Sequence, residues 1–168
     1  MNKPILQRIC NRLFHYFARF GPGATSLRPF LHRARGVRIA RDVFIGDDVY
    51  LDNEYPECIE IHERAQINIR ATIIAHTRGP GRVIIEKDVF VGPSSVIACS
   101  AGSVIRIGEG SVIGAGSIVT RSVPPRLYVA PERIKPLARV EVPLTTAGSI
   151  AAFRAGLRPL AGEPPRDT

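Results

Sequence analysis

Aliphatic residues recur every six positions through the middle of the chain. The first residues of the twelve six-residue units are Ile39, Ile45, Leu51, Ile61, Ile67, Ile73, Ile85, Val91, Ile97, Ile107, Ile113 and Val119. The residue four positions later is small or β-branched in nearly every unit. A six-residue repeat does not follow the 3.6-residue period of an α-helix. The pattern instead predicts a solenoid in which each turn buries its aliphatic row against neighbouring turns.

The units form triplets that begin at residues 39, 61, 85 and 107, so successive turns are 22, 24 and 22 residues long. Three six-residue sides need fewer residues than this, and we expect the extra residues in loops at 57–60, 79–84 and 103–106. The second residue of many units is Gly, Ala, Asp or Asn, which we interpret as tolerance of the backbone conformation at a corner. The spacing predicts a triangular coil of about four to five turns.

The run from Ile107 to Pro125, IGEGSVIGAGSIVTRSVPP, resembles the last turn and exit corner of the hexapeptide-repeat acyltransferases. That family includes bacterial galactoside, maltose and polysaccharide O-acetyltransferases. The resemblance covers residues 37 to about 135 and implies an all-β solenoid, the left-handed parallel β-helix. It is more specific for fold than for activity, because the same solenoid also serves γ-type carbonic anhydrases and nucleotidyltransferase tails.

Positive charge is concentrated before the coil. Residues 1–36 contain seven basic residues and no acidic one, within a net charge of +8 for the chain. Apolar residues recur there at helical intervals, and they are Ile5, Ile9, Leu13, Phe17 and Phe20. We predict a basic helical cap over 1–36 that covers the open first turn. Contact of this segment with an anionic membrane surface is a second interpretation, compatible with the first. Nucleic acid is not expected, because no recognition motif accompanies the charge.

The β-helix is predicted over 37–135, and residues 136–168 form an extension with a short helix near 149–157 and a loose, proline-containing tail. The sequence shows no long apolar stretch and no signal peptide, and its three cysteines lack metal-site spacing. We therefore expect a protein of the cytoplasm, or peripheral at the inner membrane face, with reduced thiols and no metal.

Acyl transfer to a hydroxyl group needs a general base, and the chain has four histidines. His15 and His32 fall in the predicted helices, and His62 falls at a corner that is expected to face solvent. His76 lies where a turn gives way to the longest interruption, which is the kind of place where the family carries its catalytic histidine. The resemblance therefore implies His76 as the base, with a merely structural histidine as the alternative.

In the galactoside and maltose enzymes an asparagine about one turn upstream of the histidine helps to hold the acceptor sugar. By that resemblance Asn53 takes this role, although a polar corner with Asn53 in a turn conformation is an equal alternative. Asp52 or Glu54 would be equally able to orient the imidazole, and the sequence leaves these alternatives open.

The resemblance places acetyl-CoA along the outer face of the last two turns. The implied contacts are glycine-rich corners and the cations beyond them, namely Gly92, Ser94, Gly114, Ala115, Gly116, Ser117, Arg121, Arg133 and Lys135. The chain departs from the family after residue 130, where the usual glycine is missing. Pro93 has no N–H, so Ser94 or another amide would have to stabilise the oxyanion.

The prediction is a CoA-dependent O-acyltransferase that transfers acetyl to a saccharide hydroxyl and forms a homotrimer with sites between protomers. An amino-sugar N-acetyltransferase and a non-catalytic scaffold are the alternatives. A γ-type carbonic anhydrase needs three converging histidines, whereas only His62 and His76 fall in the coil. An acyl-cysteine mechanism is disfavoured because Cys99 has no nearby basic partner in the sequence.

Overall fold

The computed structural model describes residues 5–132 and 137–160. The chain divides into two compact units with a boundary between Pro131 and Glu132. Cofactor-binding candidates Arg133 and Lys135 lie outside the described residues, as does the predicted loose tail from residue 161 onward.

Thirteen short strands wind through the described part of the first unit. In chain order they are β1 (Arg38–Ile39), β2 (Phe44–Ile45), β3 (Tyr50–Leu51), β4 (Ile59–Ile61), β5 (Gln66–Ile67), β6 (Thr72–Thr77), β7 (Arg82–Ile85), β8 (Phe90–Val91), β9 (Val96–Ser100), β10 (Val104–Ile107), β11 (Val112–Ile113), β12 (Ile118–Val119) and β13 (Tyr128–Val129). Face A contains β1, β4, β7 and β10; face B contains β2, β5, β8, β11 and β13; and face C contains β3, β6, β9 and β12.

Each face is a parallel sheet in which every strand pairs with the strand one turn away. On face A, Ile39 pairs with Ile61, Ile61 with Ile85, and Ile85 with Ile107, so the predicted turns of 22, 24 and 22 residues are confirmed. Eleven of the twelve unit-leading aliphatic residues are buried in the core, and Ile39 is half-buried. The predicted fold class is confirmed as a left-handed parallel β-helix with four full turns and a partial fifth.

The corners are made by a different residue from the one predicted. The fourth residue of the unit takes the left-handed conformation, with φ between 54° and 69°, at Asp42, Asp48, Arg64, Arg70, Asp88, Ser94, Gly110 and Gly116. The second-position glycines have another role, because a Cβ at Gly46 would lie 2.7 Å from the Ile69 nitrogen and one at Gly92 would lie 2.6 Å from the Ala115 nitrogen. The corner interpretation of the second residue is therefore wrong, and the small residue there permits one turn to stack on the next.

The extra residues of each turn only partly form loops. A short 3-10 helix occupies Pro56–Cys58, while the strands β4, β7 and β10 begin inside the segments that were expected to be irregular. The extra residues of one turn pair with those of the next: Thr77 pairs with Ser100, and Arg82 pairs with Val104. Pairing satisfies backbone groups that an irregular loop would leave to solvent, which is why the predicted loops are shorter in the structure.

Two helices, α1 (Ile5–Phe20) and α2 (Leu27–Ala34), precede the coil and pack against its first turn. Three arginines, which we call the arginine cap, donate to carbonyl oxygens on all three sides of that turn. Arg33 donates to Ile39 at 2.9 Å and to Ala40 at 2.6 Å, Arg28 to Ile45 at 3.1 Å, and Arg35 to Leu51 at 3.2 Å and to Asp52 at 2.8 Å. The basic residues thus satisfy acceptors that an open end of the coil would expose.

The second unit contains a short antiparallel pair, β14 (Ala138–Val140) and β15 (Leu157–Pro159), connected through α3 (Ile150–Ala155). Ser149 caps α3 by accepting a hydrogen bond from the Ala152 nitrogen at 3.1 Å. In residues 5–132 and 137–160, no helix combines the length and hydrophobicity needed to cross a bilayer. The cytoplasmic location stays a prediction.

Candidate active site

His76 and Asp52 form a hydrogen-bonded pair at the end of face C. His76 lies near the C-terminal end of β6, and its Nδ1 contacts Oδ2 of Asp52, which follows β3 one turn earlier. The Asp52 side chain is fully buried, whereas about a third of the His76 side chain is exposed to solvent. One edge of the imidazole is therefore fixed by the protein, and the other is accessible to a substrate.

The surroundings of Asp52 determine which imidazole nitrogen carries the proton. Oδ1 of Asp52 accepts from the backbone nitrogens of Glu54 at 2.9 Å and Tyr55 at 3.0 Å, and Oδ2 accepts from that of Ala75 at 2.8 Å. A carboxylate has no hydrogen to donate, so Nδ1 of His76 is the donor in their contact. Nε2 then presents its lone pair outward, which is the tautomer that a general base needs.

A β-bulge brings the two residues together. The pairing of β6 with β9 shifts in register between Ile74 and Thr77, so Ala75 and His76 lie in the irregular step. The Ala75 nitrogen points at Asp52 instead of joining the ladder, and the Ala75 carbonyl accepts from the Gly81 nitrogen at 2.6 Å. Bulges commonly redirect a side chain beside a functional site. The signal in the sequence is the longer second interruption, which does not by itself locate the bulge.

Asn53 is held from the side of the N-terminal helices. Its backbone carbonyl accepts from Nδ2 of Asn11 at 2.9 Å, and its side-chain oxygen accepts a long hydrogen bond of 3.4 Å from Arg35. Arg35 is buried, and this burial lowers the pKa of its guanidinium to about 10. The Tyr55 ring lies beside His76, with ring centroids 5.5 Å apart. A role for Asn53 in holding an acceptor stays a prediction.

His62 forms a second histidine–carboxylate pair on face A. Its Nε2 lies 2.9 Å from Oε1 of Glu60, and the pair lines an open groove of about 500 Å³. Glu60 also accepts from Arg82 at 2.8 Å and lies 3.3 Å from Arg38. The hydrogen bonds from His62 and then Arg82 lower the pKa of Glu60. Because this half-buried carboxylate is shared among several cations, it orients His62 less strictly than fully buried Asp52 orients His76.

The two remaining histidines are buried against the coil. Burial, followed by the charge of Arg35, lowers the pKa of His15 to about 3, and the same two causes lower the pKa of His32. In the described part of the chain neither ring nitrogen of His15 has a hydrogen-bond partner. Both rings are therefore neutral and closed to an acceptor, which excludes them as the base.

Six of the nine residues predicted to contact acetyl-CoA lie together at the corner between faces B and C. The Gly92 nitrogen donates to the Ile113 carbonyl at 2.7 Å, and the Gly116 nitrogen donates to the Pro93 carbonyl at 2.9 Å, so the two corners stack directly. This stack contains Gly92 and Ser94 on one turn and Gly114, Ala115, Gly116 and Ser117 on the next. Arg121 lies elsewhere, exposed at the corner after β12 and on the same edge of the coil as His76.

Two of these residues have backbone groups that are already engaged. The Ser94 nitrogen donates to the Ile69 carbonyl at 3.0 Å, so an oxyanion would have to be met by the Ser94 hydroxyl. Ser117 is buried, and both its nitrogen and its hydroxyl donate to the Gly114 carbonyl, at 3.3 Å and 2.6 Å. Contacts from either residue to a donor stay predictions.

Neither a metal site nor a role for Cys99 in the reaction is indicated by the described residues. There, no group of three or more His, Cys, Asp or Glu side chains is arranged to hold a metal ion. Cys99 is buried, and its thiol donates to the Ser103 carbonyl at 3.2 Å.

The six-residue repeat and the three stacked parallel sheets define a left-handed β-helix, and this chain is similar to proteins that are named acetyltransferases. YvoF of Bacillus subtilis, provisionally named an acetyltransferase, is 27% identical over 132 residues, which are 75% of this chain and 74% of YvoF. The bifunctional protein GlmU of Azoarcus sp. is 29% identical over 121 residues, 62% of this chain. A tetrahydropyridine-dicarboxylate N-acetyltransferase of Staphylococcus aureus is 40% identical over 73 residues, 43% of this chain and 29% of that protein. The chain spans only a quarter of the length of GlmU. No protein-family model matches it.

Solved structures show the same fold. A hexapeptide-repeat acetyltransferase from Vibrio cholerae, VCA0836, superposes with a TM-score of 0.55 at 21% identity, over 78% of this chain and 90% of that one. A galactoside acetyltransferase in complex with coenzyme A superposes with a TM-score of 0.52 at 21% identity, over 75% of this chain and 76% of that one. The predicted resemblance to the hexapeptide-repeat acyltransferase family is confirmed.

Proposed function

We propose that this protein is a CoA-dependent O-acyltransferase that transfers the acetyl group of acetyl-CoA to a saccharide hydroxyl, with His76 as general base. The observation that carries the proposal is the contact between His76 and buried Asp52, because it leaves Nε2 as an accessible proton acceptor. The relatives named as acetyltransferases support the reaction class.

The reaction is a direct transfer in a ternary complex. The acceptor hydroxyl gives its proton to Nε2 of His76 as its oxygen attacks the thioester carbonyl. The tetrahedral intermediate then collapses, the carbon–sulfur bond breaks, and His76 returns the proton to the departing thiolate of CoA. Asp52 stabilises the imidazolium formed in between, without itself taking the proton. A positioned base of this kind contributes about 10²–10⁴-fold in rate.

The donor and the base would be brought together by a homotrimer. Val96, two residues after Ser94, pairs with Thr72, whereas His76 lies four residues further along β6. At roughly 3.3 Å per residue, the glycine corner and His76 are more than about 13 Å apart within one chain. Ile118 on face C is 76% exposed, and an apolar side chain at this exposure fits burial against another subunit. Threefold closure would place the donor corner of one protomer beside His76 of the next.

The acceptor class has one alternative. The relative from Staphylococcus aureus is named an N-acetyltransferase, so an amine of an amino sugar is a second candidate acceptor. The chemistry distinguishes the two, because an amine at its reactive protonation state needs less help from a base than a hydroxyl does. The saccharide itself is proposed from the family resemblance.

The test uses the purified full chain with acetyl-CoA, and it measures thiol release across a panel of sugars, amino sugars and amino acids. We expect release with a hydroxyl-bearing saccharide, and the product should react with hydroxylamine because it is an ester. A hydroxylamine-resistant product identifies the N-acetyl alternative. If CoA gives no thermal stabilisation and no acceptor gives thiol release, the protein is a non-catalytic scaffold and the proposal fails.

A further inference from the structure

Helix α1 lies on the coil with its apolar side turned away from it. The buried side consists of Asn11, His15 and Ala18. The opposite side carries what we call the outward stripe, whose members are 51–76% exposed: Ile5, Ile9, Leu13, Tyr16, Phe17 and Phe20. At 100° per residue these six positions fall within an arc of about 120° on the helix.

This orientation is the reverse of the usual one, in which a surface helix buries its apolar stripe. Polar contacts on the inner side hold it in place. Asn11 donates to the Asn53 carbonyl at 2.9 Å, Arg19 forms an ion pair with Asp48, and the Asp48 nitrogen donates to the Arg19 carbonyl at 2.9 Å. Rotating α1 to bury the stripe would break all three contacts. A contiguous exposed patch of large apolar side chains normally marks an interaction surface.

The outward stripe is bordered by positive charge. Arg12 lies next to it on the helix, with a side chain that is 68% exposed, and Arg19 stacks on the Phe20 ring with its guanidinium carbon 5.3 Å from the ring centroid. Residues 1–36 contain no acidic residue that could neutralise this border from within the segment. An apolar stripe with aromatic residues and a cationic border is typical of a helix that lies in the plane of a membrane interface.

We propose that the outward stripe inserts into the headgroup region of an anionic lipid bilayer, with α1 lying parallel to the surface. The 16 residues of α1 reach roughly 24 Å, which is too short to span the bilayer but suits this position. Because Asn11 contacts Asn53, bilayer contact would also hold the His76 side of the coil near the membrane.

Charge favours lipid over a second copy of this chain as the occupant. A symmetric contact between two outward stripes would bring the exposed guanidinium of Arg12 near the positive border of the other copy, and these like charges would repel. An anionic bilayer is complementary both to the stripe and to its cationic border. Each basic residue near such a surface strengthens binding, and this contribution weakens as salt is added.

The test is co-sedimentation of the full chain with large unilamellar vesicles, either of equal parts phosphatidylglycerol and phosphatidylcholine or of phosphatidylcholine alone. The test variant combines Leu13→Gln and Phe17→Gln, and the matched control is Val104→Gln on face A, where Val104 is 53% exposed. We expect wild type and the control to bind anionic vesicles. The double variant should bind about tenfold more weakly or worse, and neutral vesicles should bind wild type weakly.

Wild-type binding to the anionic vesicles should also fall as salt is raised, a readout that requires no variant. The proposal is overturned if wild type does not sediment with anionic vesicles, if neutral vesicles bind it equally well, or if the double variant binds like wild type. It is also overturned if the double variant lowers the oligomeric mass in solution while vesicle binding is unchanged, because the stripe would then bind another copy.

Discussion

Replacing Asp52 by Asn perturbs the candidate site at one pair of atoms while keeping the shape of the side chain. The carboxylate receives four donors: the nitrogens of Glu54, Tyr55 and Ala75, and Nδ1 of His76. An amide has only one oxygen to offer. If that oxygen remains with Glu54 and Tyr55, the NH₂ group faces the Ala75 N–H and the His76 ring.

Two consequences follow with separate magnitudes. The Ala75 N–H is left buried and facing another donor, which should cost about 1–3 kcal/mol in the free energy of unfolding. Nδ1 of His76 must accept instead of donate, so its proton moves to Nε2 and the base is lost. Losing general-base catalysis should lower kcat by about 10²–10⁴-fold, equivalent to about 3–5 kcal/mol in the activation barrier.

The assay combines steady-state thiol release at saturating acetyl-CoA, calorimetric CoA binding and denaturant unfolding. CoA affinity should change by less than about threefold, because Asp52 is fully buried behind His76 and is not among the proposed CoA contacts. Asp88→Asn is the matched control, since Asp88 is an exposed partner of Arg64 at a corner whose positive φ an asparagine tolerates. The reasoning is refuted if D52N retains a kcat close to that of D88N, or if its lost activity is explained by lost CoA binding.

Two further predictions concern the coil and its helical cover. Gly46→Ala should lower the free energy of unfolding by about 1–3 kcal/mol, because its Cβ would meet the Ile69 backbone, whereas Gly148→Ala, with open space around it, should be nearly neutral in the same denaturant titration. Burial keeps His15 neutral with a pKa of about 3, so below the unfolded-state pKa of about 6.5 the unfolded chain binds a proton that the folded chain refuses. The contribution of His15 to the free energy of unfolding should therefore be complete above about pH 6.5 and fall by about 1.4 kcal/mol per pH unit toward pH 3. His15→Phe should reduce this pH dependence, which thermal unfolding at pH 7 and pH 5 measures. Equal stability of the two glycine variants, or an unchanged pH slope in H15F, would contradict the corresponding structural explanation.

The fold was predictable because the six-residue aliphatic repeat can be recognised in the sequence alone. Ile61, Ile85 and Ile107 lead their units and stack on one another as their spacing requires. The corner residue was harder to predict from the sequence, because Arg64 and Arg70 take a left-handed backbone conformation that arginine does not favour. At these corners the regular winding of the coil overrides the local backbone preference, and the glycines at the second position of several units instead allow neighbouring turns to stack closely.

The site was predictable only in part. The family resemblance suggested His76. Which neighbouring residue orients its imidazole depends on a bulge between turns of unequal length, and the sequence does not show that bulge. Only when the Ala75 N–H leaves the ladder does Asp52 become the acceptor that also binds His76. The outward orientation of α1 was also not predictable from the sequence, because helical spacing identifies an apolar side but does not show what that side faces.

If His76 is the base of an acyl transfer, His76→Ala should release CoA from acetyl-CoA far more slowly than His62→Ala measured beside it. Both variants remove an imidazole that contacts a carboxylate, so they control for each other. We predict that H76A loses about a hundredfold or more in kcat with CoA binding largely intact, while H62A stays close to wild type. Wild-type activity in H76A, or an equal loss in both variants, would contradict the account.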